Sequence, residues 1–458
     1  MIRKLVLATF ATVAVTGAFA QKRTVELTID KAVEIALSDN PTIQVADMEI
    51  ERYDYVKKES QSALYPNLSG TASYTRSIIQ QTMSGLKFGA DNTFAGGLSL
   101  SLPLIAPGIW RNVQMTKEQM LGAVESARGS KIELAAEVRK TYYNVLMLRQ
   151  SLDVLYANEQ NVASTVDDIQ KKFDNGLVSE YDLITVQVQQ SNFRPNIISA
   201  ENSLAVVTMM LKMYLNIPED VDVTVTGNLE EMMAAAPVSS GELSADVSAN
   251  SDLRMMDIQK NILNSQLRLV NSQRMPTLAA FGQAQLIGMD NKQIDFATMM
   301  GPMLNPLFEN AGLPPLSPGA PPKYKYNWQN PISVGVSLSV PIFAGRTIDW
   351  QARQVKNAIR QIDMSAQYAA EGARVQANTA INNMLAANEK MLANHKTVEQ
   401  AKKGYDIAKT RYGAGAGTVL EMNTAELNMT NAQLNYTGSI SEYLSARADY
   451  DKVTGREK

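Results

Sequence analysis

The side chains best placed to do chemistry are two carboxylates beside glycine turns. Asp182 closes Asn175-Gly176-Leu177-Val178-Ser179-Glu180-Tyr181-Asp182, and Glu421 closes Gly413-Ala414-Gly415-Ala416-Gly417-Thr418-Val419-Leu420-Glu421. In each, a glycine supplies the left-handed residue that ends one helix, Ser179 or Thr418 caps the next, and the acid takes the third helical position of a capping box. The cap is a complete local role for either acid. A second role is additive: carboxylates at a helix-hairpin tip, multiplied around an oligomer axis, make a charged ring at a pore mouth.

Other chemistry is thinly provided. His395 is the only histidine, within a long helical stretch beside Asn394 and Lys396, and the chain has no cysteine. Neither a His-based triad nor an HExxH zinc site can be assembled within one chain. The glycines from Gly413 to Gly417 look like a phosphate loop, but the Gly-Lys-Ser/Thr ending and the preceding strand are missing. The 23 methionines could offer thioethers to Cu(I). Most, such as Met384, Met391 and Met429, fall in helical stretches where they fill gaps, and Met299, Met300 and Met303 cluster in an expected loop. No enzymatic activity, cofactor or metal site is expected.

The elements that must position the two turns are written twice. Leu98-Ser99-Leu100-Ser101-Leu102-Pro103 returns as Val336-Ser337-Leu338-Ser339-Val340-Pro341, and Tyr65-Pro66-Asn67-Leu68 as Met275-Pro276-Thr277-Leu278. Phe173-Asp174-Asn175-Gly176 likewise returns as Tyr412-Gly413-Ala414-Gly415. An internal repeat of this length predicts one pseudo-symmetric architecture. The expected organisation is a signal over 1–20, a first repeat over 21–215, a linker over 216–244 and a second repeat over 245–458.

Period-2 alternation predicts strands over 67–77, 94–103, 277–287 and 331–341. The last is the clearest: Ile332, Val334, Val336, Leu338 and Val340 face one way, and Ser333, Gly335, Ser337 and Ser339 the other. Phe281 spoils the third by joining Gln283 and Gln285 on the polar side. One apolar face against one of Ser, Thr, Gly and Gln suits a strand tilted through a bilayer around a wet lumen. Four strands are too few to close a barrel, so the edges must be buried by oligomerisation; three copies give twelve strands and two give eight.

Helices are expected over 108–173, 179–215, 347–411 and 418–453, the longest near 95 Å at 1.5 Å per residue. Ala135, Val138, Tyr142, Val145, Leu152 and Tyr156 keep a 3/4 spacing, as do Ala377, Ile381, Met384 and Met391, which predicts coiled-coil packing. Arg149 interrupts the first seam, and Pro195 is expected to kink its helix. Pro66 and Pro276 open strands after helices; Pro103 and Pro341 close strands before helices. The stretch 289–330 is expected as a long Pro/Gly-rich loop, with 78–93 its shorter counterpart. Tyr65, Trp110, Phe343 and Trp350 fit an interfacial aromatic girdle, or packing at a strand–helix junction.

Export is expected from Arg3 and Lys4, the apolar run Leu5 to Val15, and Ala18-Phe19-Ala20 before Gln21. The formal charge of −3, with both signs scattered along the helices, excludes nucleic acid as partner. Beyond the signal, no stretch has the uncharged apolar length of a transmembrane helix.

At these motifs the chain resembles the TolC family of outer-membrane efflux channels over nearly all of the expected mature sequence. The resemblance rests on the duplicated strand–long helix–glycine turn–helix unit, the aromatic-x-x-Gly starts at Phe173 and Tyr412, and the LSLSLP and VSLSVP strand ends. It implies an α-helical protein with a membrane β-barrel: a homotrimer with a twelve-stranded barrel in outer-membrane lipid and a helical tunnel in the periplasm. The implied partners are a periplasmic adaptor, or membrane fusion, protein and an inner-membrane pump of RND or ABC type. The implied function is passive export of small molecules or drugs in a tripartite efflux system, with type I protein secretion the alternative. A soluble periplasmic coiled-coil scaffold is the alternative outside the family. At the aperture, Tyr412 matches the family tyrosine, Gly417 stands where an arginine would be, and Glu421 and Thr424 replace two aspartates, with Asp182 on the first turn. Adaptor docking is carried to Gly176, Leu177, Val178, Gly415, Ala416 and Gly417.

Overall fold

The computed structural model describes residues 24–79, 81–83, 86–88, 90–234, 243–292, 296–317 and 324–456. The expected signal, 1–20, lies outside the described residues. In chain order the elements are β1 (Thr24–Leu27), α1 (Ile29–Asp39), α2 (Pro41–Ser62), β2 (Asn67–Arg76), β3 (Gln81–Met83), β4 (Leu86–Phe88) and β5 (Asn92–Ile105). There follow α3 (Pro107–Asp174), α4 (Glu180–Tyr214), β6 (Asp222–Val225), α5 (Leu229–Ala234) and α6 (Ser251–Ser272). The chain ends with β7 (Thr277–Lys292), α7 (Phe296–Asn310), β8 (Tyr324–Gln329), β9 (Ile332–Ser339), α8 (Thr347–Gly413) and α9 (Val419–Thr454). Two compact units result: a helical one of Met1–Ile50, Ala123–Met256 and Ser365–Lys458, and a strand-bearing one of Glu51–Gly122 and Asp257–Met364.

The strand-bearing unit is an antiparallel sheet in the order β2-β5-β7, with β8 and β9 following one another along the far side of β7. Pro331 separates β8 from β9, yet its carbonyl accepts from Gln285 N at 3.0 Å, so the two act as one broken fourth strand. The alternation in sequence becomes two faces. Leu100 pairs with Gly282 and Leu98 with Ala284, and Gly282 in turn pairs with Val334, which puts these on one side. Ser99 and Gln283 lie on the other, where Ser69 Oγ and Ser99 Oγ are 2.6 Å apart. Phe281 does stand on the polar side, opposite Gly335, where an added Cβ would meet its ring at 2.8 Å. The glycine is what admits the ring. The apolar face is uncovered: Val334 is 84 % exposed, and Ile332, Val336 and Leu338 are also exposed.

At the end of this face nearest the β7–β8 pairing, Tyr74, Phe94, Tyr326 and Trp328 form a chain of rings with centroids 4.8, 5.8 and 6.5 Å apart. Beyond it, Tyr74 donates to Asn92 Oδ1 (2.7 Å), and Asn92 donates to Asp290 through both N (2.7 Å) and Nδ2 (2.6 Å). Tyr65, Trp110, Phe343 and Trp350 are all more than half exposed, and the Trp350 ring carries the Arg346 and Arg353 guanidinium groups at 5.7 and 4.8 Å from its centroid.

In the helical unit, β1 and β6 form a short parallel pair, from Thr24 opposite Asp222 to Leu27 opposite Val225. Its core gathers Leu27, Ala36, Val138, Tyr142, Leu146, Leu211, Ile440 and Tyr443. The Tyr142 hydroxyl lies 2.9 Å from Leu27 O and 2.5 Å from Thr226 O, and burial pushes the phenol up to about 12. Arg149, the interruption in the helical seam, is accounted for: its Nη1 donates to Val225 O at 2.8 Å, so the charge anchors this small sheet instead of the coiled coil.

One loop expectation is corrected. The stretch 289–330 holds the end of β7, all of α7 and β8. The aromatic run Tyr326-Asn327-Trp328 has strong strand propensity, and Pro302 and Pro306 inside α7 hide a helix from sequence reasoning. The stretch 216–244, expected as a linker or equatorial region, holds β6 and α5; a four-residue strand is too short to display a period. Pro195 lies within α4, which continues through it. Among the described residues, no helix is long and apolar enough to cross a membrane.

Candidate functional site at the two helical turns

The turns share a backbone. After α3, Gly176 has φ 71°, its N–H donates to Phe173 O (2.8 Å), and Leu177 N–H donates to Lys172 O (2.8 Å). After α8, Gly415 also has φ 71°, with Gly415 N–H to Tyr412 O (3.0 Å) and Ala416 N–H to Arg411 O (2.9 Å). This paired arrangement is the Schellman motif, and its left-handed residue favours glycine.

The acids are held differently. Asp182 Oδ2 accepts from Ser179 N (3.2 Å) and Ser179 Oγ (2.7 Å), while Asp182 N donates to Ser179 Oγ (3.2 Å), a reciprocal capping box. On the second turn only half the box forms, with Glu421 N donating to Thr418 Oγ1 at 3.2 Å. The Glu421 carboxylate turns instead to Arg411, whose Nη1 is 3.7 Å from Oε2 and whose Nη2 donates to Ala416 O at 3.1 Å. The Asp182 carboxylate is thus taken up by its own cap, whereas the Glu421 carboxylate is not, a difference that the shared capping signature does not show. Arg411 also bears on the missing arginine at Gly417. A Cβ there would lie 3.2 Å from Arg411 Cβ and 3.3 Å from Glu421 Oε2, so a side chain at 417 and the present Arg411 compete for one space.

The hairpins are joined near their tips. Val419 packs with Ile169, Leu183 and Val186, with Val178 and Tyr412 against that cluster. Lys172 Nζ is 3.4 Å from Tyr412 Oη and 4.6 Å from the ring centroid, a hydrogen bond and a cation–π contact in one. An ion pair to Asp168 Oδ2 at 2.7 Å holds the Lys172 ammonium above its ordinary pKa. Tyr412 is therefore engaged by a lysine from the other hairpin. Leu177, at 74 % exposure, and Gly176, Gly415 and Ala416 are open to solvent; Val178 and Gly417 are half-buried. Thr424 is exposed, but its hydroxyl donates back to Leu420 O at 2.8 Å.

One residue escaped sequence reasoning. Glu426, a turn beyond Glu421 on α9, is fully buried, and neither carboxylate oxygen has a hydrogen-bond partner. Burial pushes its carboxyl up to about 7, opposed only in part by Lys409. The signal was available: Val419, Met422, Glu426 and Met429 keep the 3/4 spacing of a buried face, and Met422 and Met429 are indeed in the core. His395 is exposed and lies edge-on to Tyr436 at 5.2 Å. Among the described residues no three His, Cys, Asp or Glu side chains gather to hold a metal.

A duplicated helical hairpin attached to strands with one lipid-ready face is a specific combination, and the comparison with known families decides its origin. The outer membrane efflux protein family matches residues 32–215 and 245–456. The chain belongs to that family. Outer membrane protein TolC of Escherichia coli is 20 % identical over 380 residues, covering 80 % of this chain and 69 % of TolC. Alkaline protease secretion protein AprF of Pseudomonas aeruginosa is 22 % identical over 424 residues, covering 90 % of this chain and 81 % of AprF. The Campylobacter jejuni CmeC outer membrane channel superposes with a TM-score of 0.72 at 16 % identity, covering 94 % of this chain and 86 % of CmeC. As an outer membrane efflux protein the chain is assigned to the outer membrane, and its glycine turns lie in the helical unit.

Proposed function

We propose that this outer membrane efflux protein is the passive outer-membrane duct of a tripartite export system, working as a homotrimer. The observation that carries the reading is the sheet. Its apolar face is bare, and its edges, β2 and the broken β8–β9 strand, have no partner among the described residues. Successive strands are antiparallel, so the two edges run in opposite senses and one copy's β9 side can pair with another's β2 in the same antiparallel pattern. Three copies supply the twelve strands of an even-numbered barrel, with Ser, Thr and Gln toward the lumen.

The second turn is the gate. Glu421 from three copies would ring the axis at the periplasmic aperture, flanked by Thr424 and Gly417, while Lys172 clasping Tyr412 holds α8 against α3. The exposed residues of both turns, with Leu177 the most prominent, offer the docking surface for a periplasmic adaptor that an inner-membrane pump drives. Because a passive duct supplies no energy, the adaptor must shift a pre-existing closed–open equilibrium by binding the open tips better. Cargo is small molecules in this reading. Protein cargo is the second reading, favoured by the likeness to AprF, which is named for alkaline protease secretion.

Cell fractionation followed by mass measurement of the detergent-purified protein is the test. A trimer recovered from the outer membrane is expected; a water-soluble monomer would instead restore the periplasmic scaffold.

A further inference from the structure

Where β9 gives way to α8, the chain turns through two left-handed residues, Gly345 at φ 59° and Arg346 at φ 62°. Glycine is at home there, whereas an arginine is an outlier with a strained backbone. Strain of this kind is kept where it aims a side chain. The Arg346 guanidinium is aimed at the ring of Trp350, 5.7 Å from its centroid, and the Arg353 guanidinium approaches the same ring at 4.8 Å.

Helix spacing offers both arginines one carboxylate, Asp349, three residues after the first and four before the second. Arg274 Nη2 takes it instead, at 2.5 Å. Among the described residues neither Arg346 nor Arg353 has an ion pair, so two guanidinium charges stand uncompensated at exposed positions. Stacking covers the face of a guanidinium and leaves its N–H edge able to donate. The residues just before them are apolar and bare, with Ile342 94 % and Phe343 83 % exposed. This stretch continues the uncovered apolar face of β9, which ends at Ser339. Paired positive charge on an exposed tryptophan, next to bare apolar surface, suits a ligand that is anionic at one end and hydrocarbon at the other.

We propose that Arg346, Trp350 and Arg353 hold the headgroup of an anionic phospholipid, whose phosphate oxygens accept from the guanidinium groups while its acyl chains lie along Ile342, Phe343 and β9. The two arginines share one ring, so one headgroup can reach both. Arg274 acts indirectly, neutralising the Asp349 charge that would repel the phosphate. The site rests on the outer-membrane reading of the sheet and adds the class of lipid bound at the α8 end of β9.

The test incubates the full-length detergent-purified protein with dioleoylphosphatidylglycerol or dioleoylphosphatidylcholine, re-isolates it by gel filtration and counts the retained lipid by mass spectrometry. Wild type should retain the anionic lipid in preference to the zwitterionic one. Arg346→Gly and Arg353→Gln should each lower retention of phosphatidylglycerol about fivefold, the effect of one basic residue at an anionic lipid surface. Glycine suits φ 62° better than arginine does, so Arg346→Gly should unfold at no lower temperature than wild type. Arg374→Gln removes the same charge from the Glu371 ion pair elsewhere on α8 and should leave retention unchanged. Equal retention of the two lipids by wild type, unchanged retention in both site variants, or an equal loss in Arg374→Gln would overturn the site. If inorganic phosphate replacing chloride at equal ionic strength removed the preference, the site would be one for free phosphate and the lipid would be overturned. These results on a protein that fractionates with the outer membrane would overturn the site alone, whereas a water-soluble monomer would remove the membrane reading beneath it.

Discussion

The first and second turns are the same backbone carrying different electrostatics. Both end a long helix in a Schellman motif around a glycine at φ 71°, and both restart with a hydroxyl cap. In the first, Asp182 is locked into its own cap. In the second, Glu421 leaves the cap for an exposed arginine at 3.7 Å, Tyr412 depends on a lysine from the other hairpin, and Glu426 is buried with no partner. Gln187, the first-hairpin counterpart of Glu426 by the alignment of Asp182 with Glu421, is exposed. A duplicated unit has thus diverged into one hairpin whose acid is held by its own cap and one whose acids are paired weakly or not at all. The second is the one suited to move.

The contrast is sharpest at Glu426. Its carboxyl is raised from 4.5 to about 7, so the folded protein keeps a proton that the unfolded chain has already released. This group's contribution is therefore fully present below about pH 4.5 and is lost as pH rises through 7. Glu426→Gln should be more stable than wild type by about 3 kcal/mol near pH 8.5 and nearly equal to it near pH 4.5. Thermal unfolding at the two pH values reads this directly, and Gln187→Glu, on an exposed position, should show no comparable dependence.

A smaller difference separates the caps. Asp182→Ala removes a complete capping box and should cost about 1 kcal/mol. Glu421→Ala removes half of a cap and an ion pair between groups more than half exposed, so its cost should stay within about 0.5 kcal/mol. Chemical denaturation of the two variants in parallel checks the order, and equal losses would erase the distinction between the turns. Smallest in stability but distinct in kind is the effect of Glu421→Gln on conduction: block by a multivalent cation added at the tip side should weaken, while Asp182→Asn leaves block unchanged.

Much of this was legible in the residues. The strand faces followed from alternation, down to Phe281 on the wrong side, whose partner Gly335 makes room for it. The turns followed from glycine and cap chemistry, which are local. What could not be read was whatever depended on a distant neighbour. The parallel pairing of β1 with β6 joins residues about 200 positions apart, and α7 is helical despite Pro302 and Pro306. At the turns, a capping signature fits Asp182 and Glu421 equally, and only the placement of Arg411, seven residues before Thr418, divides them. Lys172 and Tyr412 belong to different repeats, and no spacing rule joins them. Glu426 keeps the period of a buried face, against the general rule that acids lie at surfaces.

The most direct measurement is single-channel conductance of the detergent-purified protein in planar bilayers, comparing wild type with Lys172→Ala. If the Lys172–Tyr412 contact holds the second hairpin across the aperture, wild type should give small discrete steps. Lys172→Ala should then give steps several-fold larger, with Asp182→Ala indistinguishable from wild type. Equal conductance in wild type and Lys172→Ala, or no conductance from either, would contradict a channel gated at its second turn.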